Sequence, residues 1–167
     1  MGLISNLFSK KIEKIEKHDT LSGNELSSIL KYPNGIKIIE NGAQKGNLKC
    51  QQFLYTLFMI GEKASSENRE KFEHYTKLAA FQDDSTAQAN YAKIILDNIE
   101  ELKSENIENN GILIDSLLDI QEKLNECLKW YKLSYANGNK KVLDNINNIE
   151  IHLLQNWINP LVDEYYQ

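Results

Sequence analysis

Three ten-residue stretches of this chain follow one plan: "GAQKGNLKCQ" at 42–51, "AAFQDDSTAQ" at 79–88 and "SYANGNKKVL" at 134–143. In each, small residues close one helix, a turn residue follows (Gly46, Asp83, Gly138), and Asn or Asp then offers an oxygen to the free N–H groups that open the next helix. Glycine suits a left-handed corner because it has no Cβ to clash, whereas aspartate carries a steric penalty there. One helical turn upstream, on the same face, stands a bulky apolar residue: Ile38, Tyr75 or Trp130. Leu54 with Phe58, Tyr91 with Ile95, and Ile146 take matching places in the helix beyond the corner. A corner that recurs with this grammar predicts paired helices.

The stretches begin at residues 42, 79 and 134, so the intervals are 37 and 55 residues, and the second must hold an insertion if the first is the period. Its place is "DNIEELKSENIENNGILIDSL" at 97–117, whose acidic, asparagine-rich middle reads as an extended helix end and loop. Leu113, Leu117, Ile120 and Leu124 then restart an apolar face. Proline occurs only at Pro33 and Pro160, and Lys, Glu, Asn and Gln separate the aliphatic runs, so the class is all-α. A length of 167 residues fits one domain, with N-terminal helices over 1–35, repeats over 36–150 and a C-terminal cap over 151–167.

Ahead of the repeats, Ile4, Phe8, Ile12 and Ile15 form an apolar stripe ringed by Lys10, Lys11, Lys14 and Lys17, the pattern of a docking helix. Glu13, Glu16 and Asp19 nearly cancel the lysines, which favours packing on the domain over a membrane surface. Asp19, Thr20 and Ser22 carry the oxygens that begin a second helix, "KYPNG" at 31–35 turns the chain, and a third helix runs to about Lys45. At the other end Pro160 is expected to stop a helix, with Trp157, Leu161, Tyr165 and Tyr166 capping the open end of the stack or anchoring a partner.

These stretches resemble the Sel1-like repeat family, relatives of the tetratricopeptide repeat, over roughly residues 36 to 150. "WYKLSYANGN" at 130–139 has the aromatic pair and the corner, and "YTKLAAFQDDSTAQ" at 75–88 has the aromatic, the double alanine and the Ala-Gln pair. "GAQKGNLKCQQFLYTLFMIG" at 42–61 has the corner, Cys50-Gln51, Leu54, Phe58 and Gly61. Tyr55, Ala92 and Asn147 stand where the family has a glycine, Asp83 replaces a corner glycine, and "EKASSENRE" replaces a Gly-Val loop. The resemblance implies a right-handed α-α superhelix, a short solenoid whose curved surface binds a protein or peptide. If the first helix of each pair lines the concave side, Gln52, Tyr55, Met59, Asn90 and Lys93 are the candidate contacts.

The remaining signals exclude more than they assign. Net charge is −5 and Arg69 is the only arginine, which disfavours a phosphate-reading surface and hence a nucleic-acid partner. Cys50 and Cys127 sit where the helical pattern wants a small apolar residue, so buried reduced thiols and a cytoplasmic location are expected. The N-terminus lacks the features of a secretory signal or myristoylation site, and no apolar run approaches the roughly 20 residues of a membrane span. His18, His74 and His152 are scattered, and Glu100, Glu101, Glu105 and Glu108 lie in a hydrophilic stretch, so neither a metal site nor a carboxylate pair for acid-base work is expected. No phosphate-binding glycine loop or nucleophile elbow is present, and no cofactor is expected.

The expectation is therefore a non-enzymatic protein-binding module. Within that class, an acidic, compact chain fits an immunity protein that neutralises a basic toxin, and its richness in Lys, Asn and Ile suits an A+T-rich bacterial genome. Two other classes make different predictions: a hydrolase would need a deep pocket with perturbed carboxylates, and a membrane-peripheral scaffold would bind liposomes through residues 1 to 17.

Overall fold

The computed structural model of the protein describes residues 2–16, 21–61, 65–108 and 114–165. Its helices are α1 (Gly2–Glu16), α2 (Gly23–Ile29), α3 (Gly35–Gln44), α4 (Leu48–Gly61), α5 (Ser66–Ala80), α6 (Ser85–Glu108), α7 (Ile114–Ala136) and α8 (Leu143–Tyr165), with a 3-10 turn at Lys140–Val142. No strand occurs among the described residues, so the chain is all-α as its residue spacing predicts. Lys17, His18, Asp19, Thr20 and Tyr166 lie outside the described residues, as do the side chains of Ile4, Glu105, Glu108, Leu113, Leu117, Trp157, Leu161 and Tyr165. The helices gather into two compact units, Met1–Gln82 and Asp83–Gln167.

In the first unit, α1 docks along the stripe that its sequence spells. Ile15 is buried, Phe8 stacks on Tyr32 with ring centroids 4.0 Å apart, and Asn47 Nδ2 donates to the Ile15 carbonyl at 3.3 Å. Lysines tie the polar edge of α1 to α2: Lys11 Nζ donates to Ser28 Oγ at 2.6 Å and Lys14 Nζ to Glu25 Oε1 at 2.9 Å. Leu21, Leu26, Ile29, Ile39, Ala43, Cys50 and Leu54 complete the interior, each burying the apolar area of its side chain.

Ser22 starts α2 by a reciprocal cap: its Oγ accepts from Glu25 N at 3.2 Å, and its own N–H donates to Glu25 Oε2 at 2.9 Å. Hydrogen bonding from Lys14, then from the Ser22 backbone and side chain, holds the Glu25 carboxyl at about 2, down from 4.5. A carboxyl depressed on folding contributes stability above its unfolded value and loses it as pH falls through the folded one. Glu25→Gln is thus expected to cost about 1 kcal/mol at neutral pH, as caps of this kind do. The gap between wild type and variant should close as pH drops from about 4.5 to 2, as read from urea midpoints across that range.

Two long hairpins carry the rest of the chain, α4 with α5 in the first unit and α6 with α7 in the second. Tyr75 of α5 is buried and stacks on Phe58 of α4, with centroids 6.0 Å apart. Trp130 of α7 is buried and meets Tyr91 of α6 edge-on at 5.3 Å. Both returning helices thus place their repeat aromatic against an aromatic of the outgoing helix.

The interval difference is taken up by the helices themselves. α6 has 24 residues to the 14 of α4, and α7 has 23 to the 15 of α5. The stretch expected to hold an extended helix end and loop runs as helix to Glu108 and resumes as helix at Ile114, with 109–113 outside the described residues; Glu, Leu and Lys in "EELKSE" favour the helical backbone. A correction falls at Pro160, which lies inside α8 rather than ending it. Proline forfeits one backbone hydrogen bond there, but the apolar spacing of the surrounding residues continues the helix to Tyr165.

Left-handed backbone stands at all three expected corners: φ is 92° at Gly46, 61° at Asp83 and 100° at Gly138. At the first, Gly46 N donates to Ala43 O and Asn47 N to Gly42 O, both at 3.0 Å; at the third, Gly138 N donates to Tyr135 O at 3.1 Å and Asn139 N to Ser134 O at 3.0 Å. These bonds satisfy the carbonyls that a helix end leaves open. Asn47 Oδ1 then accepts from Cys50 N at 3.2 Å and Asp84 Oδ1 from Ala87 N at 2.6 Å, starting α4 and α6 as predicted. Asn139 makes no side-chain cap; with φ −80° and ψ 83° it leads into the 3-10 turn that precedes α8.

Asp83 sits in the left-handed region at a steric cost of about 1–2 kcal/mol, while glycine there would lose about 0.5–1 kcal/mol in chain entropy. Asp83→Gly should therefore raise stability by roughly 0.5–1 kcal/mol, seen as a higher urea midpoint at unchanged slope.

Candidate functional site

The surface expected to meet a partner divides once its helices are in place. On α4, Gln52 is half-buried and its Oε1 accepts from Lys49 Nζ at 2.9 Å, while Met59 is exposed beside the more exposed Ile60. Tyr55, expected on the same surface, is buried. Its place follows from helical geometry: residues 54 and 55 are about 100° apart, so a helix packed on two sides buries the Cys50–Leu54 column and the adjoining Gln51–Tyr55 column. On α6, Asn90 is half-buried and Lys93 is exposed, its Nζ 2.8 Å from both carboxylate oxygens of Asp97 one turn away. Such an exposed pair contributes about 0.3–0.5 kcal/mol and leaves Lys93 at the surface.

What the sequence reading missed is a set of buried amides that join corners to hairpins. Gln51 Nε2 donates to the Ala43 carbonyl at 2.9 Å, and Gln51 Oε1 accepts from Gln82 Nε2 at 2.7 Å. In the second unit Gln88, which holds the place of Gln51 in the plan, accepts from Asn137 Nδ2 at 3.0 Å. Gln82 and Asn137 are likewise equivalent positions, each just before a left-handed residue. Ser134 Oγ donates to the Ser85 carbonyl at 2.6 Å and Cys127 Sγ to the Ala92 carbonyl at 3.1 Å, fastening α7 along α6. The signal was the Gln that closes the first two stretches; a buried amide must find partners, so its recurrence marks a repeated bonding site.

A polar cluster links α3 to α5. Lys71 Nζ lies 3.7 Å from Glu40 Oε1 and 2.9 Å from Glu67 Oε1, and 5.3 Å from the centroid of the Phe58 ring. Gln44 Nε2 lies 2.7 Å from His74 Nε2, and the imidazole meets Tyr75 edge-on at 5.0 Å. His74 thus bridges helices at the surface. Among the described residues no group of three or more His, Cys, Asp or Glu side chains is arranged to hold a metal ion, and no helix is long and apolar enough to cross a membrane.

Both thiols are free and fully buried, and burial pushes each up to about 12 from an ordinary 9.0, assisted at Cys127 by Glu126 and Asp97. At pH 8 the thiolate fraction then lies about a thousandfold below that of an exposed cysteine. Native protein is expected to leave a chromogenic disulfide reagent such as DTNB unreacted, and guanidinium chloride to release both thiols. Fast reaction of either thiol without denaturant would contradict this burial.

On α7, Asn125, Leu128, Lys129, Lys132 and Leu133 line an open groove of about 430 Å³. Lys132 Nζ pairs across to Glu150 Oε1 of α8 at 2.6 Å. Leu143 and Ile151 of α8 are exposed apolar side chains. No protein-family model, curated protein or solved structure matches this chain.

Proposed function

We propose that the protein is a protein-binding module built from divergent Sel1-like helix pairs, stacked as a right-handed superhelix, that holds a protein or peptide partner on a helical surface. The observation that carries this reading is the repeated amide bond, Gln82 to Gln51 and Asn137 to Gln88, at matching positions beside left-handed corners. A repeat that fixes its packing through corners and inward columns leaves the outward columns free to serve a partner. Gln52 and Met59 of α4 and Asn90 and Lys93 of α6 are the candidates in those outward columns. Affinity capture from the native cell with mass spectrometry tests the reading. One dominant partner should be retained by wild type and lost when Met59→Asp and Lys93→Glu are combined; absence of any saturable partner would sink it.

A second reading, an immunity protein in the cytoplasm of a bacterium, is favoured by the net charge of −5, which attracts a basic toxin and speeds encounter at low salt. Co-expression with toxin genes that neighbour this one should restore growth. Capture of many unrelated clients would instead point to a general adaptor.

A further inference from the structure

The burial pattern of three equivalent helix starts differs at one column. Gln51 and Tyr55 on α4 are 2% and 7% exposed, and Gln88 and Ala92 on α6 are 1% and 0% exposed. The matching residues of α8 are Leu143, 45% exposed, and Asn147, also exposed; Ile151, a further turn on, is 52% exposed, as its α4 counterpart Met59 is at 41%. The neighbouring inward column does not differ: Cys50 and Leu54, Ala87 and Tyr91, and Val142 and Ile146 are all buried. In the second unit the contacts name what covers the differing column, since α7 reaches Gln88 through Asn137 and Ala92 through Cys127. α8 therefore buries the same inward column as α4 and α6, although a 3-10 turn precedes it, but shows open the face that in α6 lies beneath a returning helix.

The adjoining wall is equally specific. In the first unit the covering helix α5 also touches α3, where its Lys71 approaches Glu40. The position on α7 equivalent to Glu40 is Lys132, which lines the open groove with Leu128 and Lys129. The sign of the charge is thus reversed: α3 offers a carboxylate to a lysine, and α7 offers Lys129 beside Lys132, which Glu150 of α8 already holds at 2.6 Å. Lys129 has no carboxylate partner among the described residues. We propose that Leu143, Asn147 and Ile151 of α8, with Leu128, Lys129 and Lys132 of α7, form the seat of one amphipathic helix from a partner protein. That helix packs its apolar stripe on α8 and sets an acidic flank against Lys129, sharing Lys132 with Glu150. The proposal rests on the protein-binding reading above and deepens it by naming the seat and the chemistry of what sits there.

The test uses the full chain and a fluorescein-labelled peptide copying residues 65–81, the segment that holds α5, in two forms: unmodified and with Lys71→Glu. Anisotropy titration should show saturable binding, with the Lys71→Glu peptide bound at least tenfold more tightly. Leu143→Asp with Ile151→Asp should weaken both peptides at least tenfold, and Lys129→Glu with Lys132→Glu should invert the preference between them. Asn147→Arg, at an exposed position that asks nothing of the interior, gives the same readout if the double aspartate variant loses its circular dichroism signal. The seat is overturned if neither peptide saturates at millimolar concentration, or if binding ignores these substitutions. It is also overturned if sedimentation equilibrium shows a wild-type dimer that Asn147→Arg converts to monomer, because a second copy would then be the occupant. Loss of peptide binding alongside continued capture of a cellular partner would refute the seat and leave the wider reading standing.

Discussion

Trp130→Ala should lower the unfolding free energy by about 3–5 kcal/mol, the range for removing a buried tryptophan and leaving a cavity behind. The ring is buried, meets Tyr91 edge-on at 5.3 Å, and keeps its indole N–H near Glu126 Oε1 at 3.4 Å. It therefore joins α7 to α6 with its apolar body while the polar edge reaches the surface. Trp130→Phe preserves an aromatic edge and should cost much less, about 1–2 kcal/mol. A double-mutant cycle with Tyr91→Ala should return about 0.5–1.5 kcal/mol of coupling, the worth of an aromatic pair beyond its buried area. Urea denaturation followed by circular dichroism measures the wild type and all four variants. An alanine penalty below about 1 kcal/mol would mean that the ring is not packed as described.

Gly35→Ala is the second large effect, with a loss of about 1–3 kcal/mol or more from a single added methyl group. A Cβ at residue 35 would lie 2.0 Å from the Ile29 carbonyl oxygen and 2.8 Å from its carbon. Those atoms are backbone, held by the turn in which Tyr32 N donates to Ile29 O at 3.0 Å and Gly35 N to Tyr32 O at 2.9 Å, so no side-chain rotation relieves the clash. Gly23 begins α2 much as Gly35 begins α3, yet a Cβ there meets nothing within 4 Å. Gly23→Ala should accordingly stabilise by up to about 1 kcal/mol through helix propensity. Opposite signs for the same substitution at two helix starts would isolate the close approach of α2 to the turn; matching signs would reject it.

The corners were legible in the sequence because their chemistry is local. A left-handed residue leaves few choices, so Gly46, Asp83 and Gly138 announced themselves, and Ser22 with Glu25 spelled a cap within four residues. The packing of α1 was readable for a similar reason, since one stripe with lysines around it has one way to lie down. The surface was less legible. Tyr55 carries a polar tip, and a single chain does not reveal that α4 buries two adjoining faces, so its place changed once neighbours were present. Gln51 and Gln88 look like surface residues by type, and only the partners at Ala43, Gln82 and Asn137 explain their burial. The extended end of α6 was legible as well, because the summed propensity of "EELKSE" favours helix; the loop expected after it falls at 109–113, outside the described residues.

The second hairpin lengthens on both legs by nearly equal amounts, and this separates two quantities that evolution can then adjust independently. At about 1.5 Å per residue, the added length makes each leg of the second hairpin some 12–15 Å longer than its counterpart in the first, while Gly138 still turns the chain as Gly46 does. A one-legged insertion of a single residue would rotate everything beyond it by about 100° and swing Trp130 away from Tyr91. Paired growth changes span and preserves phase, so a chain of this design can alter how far it extends without disturbing how it is held together.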